Sequence, residues 1–135
     1  MSAMYLLDTD TCIYLIKKKP INVFEKIQTM EVDSIAISSI TLAELEYGVE
    51  KSSNPVKNKM ALTRFLAPVS ILPFDETAAR MYGIIRTDLE SRGRPIGPPD
   101  MLIASQALSR KIVLVTNNVR EFKRIKGLSM ENWAV

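Results

Sequence analysis

The order of apolar runs along this chain predicts an α/β protein: a three-layer α/β/α domain around a central, mainly parallel sheet of four to five strands. Three observations lead there. Short β-branched or apolar runs alternate with longer stretches of helical periodicity. Turn residues punctuate nearly every change from one to the other. The 135 residues, 47% hydrophobic and 24% charged, suit one packed domain, residues 1–135, whose parallel strands are covered by helices on both faces.

Met4 to Leu7 reads as a short buried strand. Thr11 to Lys19 reads as a helix stopped by Pro20, and Ile21 to Met30 as a second helical piece. Ser34 to Ser38 is a β-branched, partly alternating strand, followed by a helix over Thr41 to Lys51. Ser52-Ser53-Asn54-Pro55 breaks that helix before another that runs to about Leu66. Val69 to Leu72 is a strand. In the next helix, Asp75 to Ser91, the residues Ala78, Met81, Tyr82, Ile85 and Leu89 make one apolar face. A loop rich in turn residues, Gly93 to Pro99, precedes a helix over Asp100 to Ser109. Ile112 to Val115 is a strand, Val119 to Lys126 a short helix, and Leu128 to Trp133 an edge strand.

Composition narrows the chemistry. The chain has no histidine and one cysteine, Cys12. This excludes a Ser-His-Asp triad, paired-histidine chemistry, a His-ligated zinc and an internal disulfide. Cys12 is expected on the buried face of a helix. Catalysis near neutral pH would rest on carboxylates, lysines or a carboxylate-bound hard cation. There is neither an apolar span of membrane length nor a secretory leader pattern, so the expected compartment is the cytoplasm. The net charge of +3 comes from the second half, and Arg110 to Lys126 carries six basic residues against Glu121 alone. Such a patch can attract nucleic-acid phosphates, or be a solvated rim.

In parallel sheets, ligands bind beyond the carboxyl ends of the strands. Asp8 and Asn117-Asn118 follow strands, and Glu44 and Asp100 lie early in helices that begin at the same edge. Each carboxylate also has a plainer role open to it. Asp8 can cap the first helix. Thr41-x-x-Glu44 has capping-box spacing, and so does Asn118-x-x-Glu121. Thr116 can be an idle strand-end hydroxyl. Asp100 falls on the apolar stripe of Ile103, Ala104, Ala107 and Leu108, where a carboxylate needs a partner or a metal. Their common rim is what argues for a site.

Four segments, in order, carry a resemblance: LLDTDTCIYLIK, ISSITLAELEYGVEKS, YGIIRTDLESRGRPIGPPDMLIASQAL and LVTNNVREFKRIKGLSMENW. Together they resemble the PIN-domain ribonucleases, specifically the VapC toxins of VapBC toxin–antitoxin pairs, over nearly the whole chain. The resemblance implies that Asp8, Glu44 and Asp100 hold Mg²⁺, with Mn²⁺ as a possible substitute. It also implies that Thr116, Asn118 and Glu121 complete the catalytic group. Two positions depart from the pattern. Asp10 stands where the family usually has Asn, and Asn118 where it often has a fourth acid, which leaves Glu121 to take that part. The implied activity is hydrolysis of RNA to 5′-phosphate and 3′-hydroxyl ends. In members with the Thr-Asn-Asn segment, initiator tRNA cut in the anticodon region is the implied target. The implied partners are a VapB-like antitoxin, whose basic side chain reaches the carboxylates, and a second copy in a homodimer.

Two other readings compete. Leu7-Asp8-Thr9-Asp10 also resembles the start of a haloacid-dehalogenase-like phosphatase, with Asp8 as nucleophile and Asp10 as acid/base, but the late paired-acid motif it requires is absent. A catalytically inactive PIN fold that only binds would explain Asn at position 118.

Overall fold

Alternation along three very short strands divides the core. In the computed structural model, which describes residues 3–135, strands β1 (Tyr5–Leu7), β2 (Ile35–Ser38) and β4 (Val113–Val115) lie side by side. Leu6, Ala36 and Leu114 face one way, into a cluster with Ile85, Leu89, Ile103, Ala104 and Phe122. Leu7, Ile35, Ile37 and Val115 face the other way, against Cys12, Leu15, Val23, Leu45 and Leu62. Because side chains alternate with period two, each strand feeds both cores, which is why these runs read as continuously apolar.

The helices supply the outer layers. α1 (Thr9–Lys17), α2 (Ile21–Gln28), α3 (Ser39–Glu50) and α4 (Pro55–Leu66) line the second cluster. α5 (Glu76–Ser91), α6 (Pro98–Arg110) and the short α7 (Val119–Phe122) line the first. With β3 (Ser70–Leu72) and β5 (Met130–Glu131), the sheet has five strands in the order β3-β2-β1-β4-β5, and every pairing is parallel. The expected three-layer architecture is therefore present, at the upper end of the expected strand number.

This order puts the switch point between β1 and β4. From β1 the chain moves outward through β2 to β3, then returns to β4 on the other side. Leu7 pairs with Val115, so the next residues, Asp8 and Thr116, leave the sheet together. The Asp8 N–H donates to the Val115 carbonyl at 3.0 Å and ties the two strand ends.

Element boundaries differ from expectation where capping decides them. α1 begins at Thr9, two residues early, because Asp8 is the residue that caps it. Its other end is set at Lys18, in the left-handed conformation at φ 58°, before Pro20 is reached. α7 spans four residues and stops well short of Lys126. The edge strand β5 is reduced to two.

Candidate active site

Asp8 is an N-cap and also the most enclosed acid at the rim. Its Oδ1 accepts from the Thr11 N–H at 2.9 Å, and the residue is only 5% exposed. Burial pushes its carboxyl up from the ordinary value, against hydrogen bonds from Thr116 and Thr11 that favour the charged form. The Thr116 hydroxyl is not idle. Its oxygen also accepts the Asn118 N–H at 2.9 Å, which fixes the turn leaving β4. Thr11, missed by sequence reasoning, donates its hydroxyl to the Val115 carbonyl at 3.2 Å and locks α1 to β4.

Glu44 has no capping role. Ser38 caps α3 by accepting from the Ile40 N–H at 2.9 Å, so the helix starts earlier than the Thr41-x-x-Glu44 spacing suggests. Thr41 is buried, and Glu44 lies a full turn inside the helix. Its carboxylate accepts instead from the Thr9 hydroxyl at 2.5 Å, across 35 residues of sequence. Thr9 is thus a positioning residue, whose only sequence signal is its place directly after Asp8.

Asp100 is freed by two prolines. Gly97 precedes α6 and makes no side-chain cap, while Pro98 and Pro99 occupy the first helical positions. Prolines lack the N–H groups that would need capping there, so no backbone donor claims Asp100. Among the described residues its side chain has no hydrogen bond and no ion pair. Burial, then repulsion from Asp8, Glu121, Glu44 and Asp10, raises its carboxyl from 3.8 to about 6. Five acidic groups therefore feel one another at this rim.

Asn118 and Glu121 form a pair rather than a cap. The Asn118 amide donates to Glu121 Oε2 at 3.0 Å, and neither side chain caps α7. Asp10, exposed in the first turn of α1, is not the cap either.

A second buried polar device holds this end of the molecule together. The Ser38 hydroxyl donates to the Gln106 side-chain carbonyl. The Gln106 amide donates to the carbonyls of Leu72 and Pro73 at 3.0 and 3.2 Å. One α6 side chain thereby ties the ends of β2 and β3 to the helix that carries Asp100. Sequence reasoning missed it, because a lone Gln between Ser105 and Ala107 carries no local signal.

The donor set suits a hard divalent cation. All candidate ligands are carboxylate oxygens, and none is paired with Lys or Arg among the described residues. No three of them stand close enough, among those residues, to form a closed metal cage. That separation fits an open site, since Mg²⁺ is commonly held by one or two carboxylates while keeping water and binding phosphate.

The basic segment Arg110–Lys126 is not one patch. Arg110 lies ten residues beyond Asp100 on α6, about 15 Å along the axis, and approaches Asp75 at 3.7 Å. Lys111 follows it at that far end. The later cations, by contrast, belong to the turn around α7.

The PIN domain family model matches residues 5–128. The chain is 44% identical over 130 residues to the tRNA(fMet)-specific endonuclease VapC of Shigella flexneri, covering 96% of this chain and 98% of that protein. The chain belongs to the VapC family of PIN-domain ribonucleases. A second relative, ribonuclease VapC2 of Rickettsia felis, is 45% identical over 131 residues, covering 96% and 98% of the two chains. The crystal structure of DNA-bound VapBC from Salmonella typhimurium superposes with a TM-score of 0.92 at 44% identity, covering 98% of this chain and 99% of that one. Family membership accounts for the fold and for the rim at the β1–β4 switch point. It also removes the phosphatase reading.

Proposed function

We propose that this protein is the toxin of a toxin–antitoxin pair, a Mg²⁺- or Mn²⁺-dependent endoribonuclease acting on RNA phosphodiesters, with initiator tRNA cut in the anticodon region as substrate. The observation that carries the metal-dependent reading is the uncompensated acidity of the rim. Asp100 is raised to about 6 by burial and four neighbouring acids, and no Lys or Arg forms an ion pair with any of these acids among the described residues.

Asp8, Glu44 and Asp100 would hold the cation between them, in part through its retained waters, because no three of these acids stand close enough for direct ligation among the described residues. When bound, it would polarise the scissile phosphate, lower the pKa of attacking water and neutralise charge developing in the transition state. Thr116 and Thr11 hold Asp8 at the strand end. Thr9 orients Glu44. Asn118 steadies Glu121, which takes the place of a fourth acid. Hydrolysis leaves 5′-phosphate and 3′-hydroxyl ends, and no histidine is required.

The antitoxin has a fitting surface. An apolar groove of about 330 Å³ is lined by Ile13, Ile16, Leu45, Val49 and Leu62, with Glu44 on its wall. A segment lying there would bring a basic side chain beside Glu44, where an Arg can pair bidentately with the carboxylate. Action in the cytoplasm as a homodimer is part of the same proposal. No helix among the described residues is long and apolar enough to cross a membrane.

The test is to incubate purified, antitoxin-free protein with total RNA and with tRNA in Mg²⁺ or Mn²⁺, then sequence the RNA ends. Cleavage that disappears in Asp8→Ala and Asp100→Ala is expected. Intact RNA with both metals would leave a binding module as the correct description, and equal cleavage by Asp100→Ala would trace the activity to a contaminant.

A further inference from the structure

Cations near α7 divide into those spent on structure and those left for a partner. Arg92 pairs with Asp88 at 2.7 Å and donates to the Arg124 carbonyl at 2.6 Å. Arg124 donates in turn to the Pro95 carbonyl at 3.1 Å. Lys126 faces Asp88. These contacts bind the end of α5, the 92–97 loop and the turn after α7 into one unit. That unit carries Asp100 at the start of α6 and Glu121 on α7.

Arg94, Arg120 and Lys123 ride on the same unit. All three are exposed, and none forms an ion pair among the described residues. Arg120 and Lys123 flank Glu121 within two residues, and Arg94 stands three residues before the Gly97 cap of α6. Arg110, the first cation of the segment, is instead paired with Asp75 at the far end of α6.

We infer that Arg94, Arg120 and Lys123 form a phosphate track that seats the RNA backbone beside the carboxylate rim. The inference rests on the nuclease reading and names how its substrate is held. A polyanion approaching an acidic rim is repelled unless cations next to it offset the charge. Cations fixed to the frame of Asp100 and Glu121 can do so while keeping register with the scissile bond. Such contacts fix position and carry no base sequence.

The test uses the full chain and fluorescein-labelled tRNA in EDTA, with binding followed by anisotropy from low to moderate salt. Each phosphate contact contributes about −0.7 to −0.9 to the slope of log K against log salt. The triple variant Arg94→Gln/Arg120→Gln/Lys123→Gln is expected to flatten that slope by about two to three. Each single variant should flatten it by about one. A control with equal charge removed elsewhere, Lys19→Gln/Lys26→Gln/Lys57→Gln, should keep the wild-type slope. In cleavage with Mg²⁺ the triple variant should show raised KM at little-changed kcat. A triple variant or set of single variants that keeps the wild-type slope overturns the track, as does a control that loses as much. If wild type cleaves tRNA while the slope never moves, the track fails and the nuclease stands. If wild type leaves RNA intact while the slope falls, the nuclease reading fails and the binding surface stands.

Discussion

Replacing Asp100 by Asn should stabilise the metal-free protein while abolishing its activity. In the fold this carboxyl is raised from 3.8 to about 6, by burial first and then by four acidic neighbours. At 1.36 kcal/mol per pH unit, that rise corresponds to about 3 kcal/mol against the folded state when the group is ionised. Asp100 remains partly exposed, and solvent screening reduces the figure to about 1–2 kcal/mol. The penalty is absent below about 3.8, where the acid is protonated in both states. It grows as pH rises and is complete above about 6. Asn keeps the shape without the charge, and its amide can reach water at this partly exposed position. Urea unfolding in EDTA at pH 7.5 should therefore place Asp100→Asn about 1–2 kcal/mol above wild type, a rise in melting temperature of roughly 3–8 °C. At pH 4 the two proteins should converge. Adding Mg²⁺ at pH 7.5 should narrow the gap, because a ligand that binds only the folded wild type stabilises it. A variant less stable than wild type at pH 7.5, or a gap unchanged between the two pH values, would refute the electrostatic account of the rim.

Thr9→Val removes the hydroxyl that Glu44 accepts at 2.5 Å. The loss of one charge-assisted hydrogen bond should cost about 1.5 kcal/mol in urea unfolding of the metal-free protein. Glu44, no longer oriented, should need more Mg²⁺ for half-saturation in a metal titration of cleavage; an unchanged titration would deny Thr9 its positioning role. Glu121→Gln keeps an acceptor for the Asn118 amide and removes one charge facing Asp100. It should weaken Mg²⁺ dependence and lower the Asp100 carboxyl toward 3.8, visible by carboxyl NMR, whereas an unchanged titration would deny Glu121 the fourth-acid part. Gln106→Leu strands the carbonyls of Leu72 and Pro73 and the Ser38 hydroxyl. It should cost about 2–3 kcal/mol in chemical denaturation, and a loss below 0.5 kcal/mol would show that water replaces the amide.

Much of the fold was legible because it is written locally. The runs around Leu6–Leu7, Ile35–Ile37 and Leu114–Val115 are apolar at consecutive positions, as strands buried on both faces must be. The stripe through Ala78, Ile85 and Leu89 repeats at helical spacing. Capping was harder to read. Glu44 and Glu121 both sit at capping-box spacing, yet Ser38 takes the first helix start and Asn118 turns its amide to Glu121. Several polar residues crowd the starts of α1 (Asp8 to Thr11) and α3 (Ser38, Ser39 and Thr41), and which one caps depends on where the preceding strand ends.

By itself, the sequence determined the repertoire of chemistry. With no histidine and one buried cysteine, only oxygen ligands remain, and Asp8, Glu44 and Asp100 are marked by their places near strand ends and helix starts. Tertiary structure decided which groups meet. Thr9 reaches Glu44 across 35 residues, and Gln106 reaches Ser38 across 68. Arg110 departs to Asp75, while Arg94, remote in sequence from Glu121, joins its frame through the Arg124–Pro95 contact. Hydrogen bonds and Coulomb forces act over a few ångströms of space, and only the packed sheet converts sequence separation into that distance.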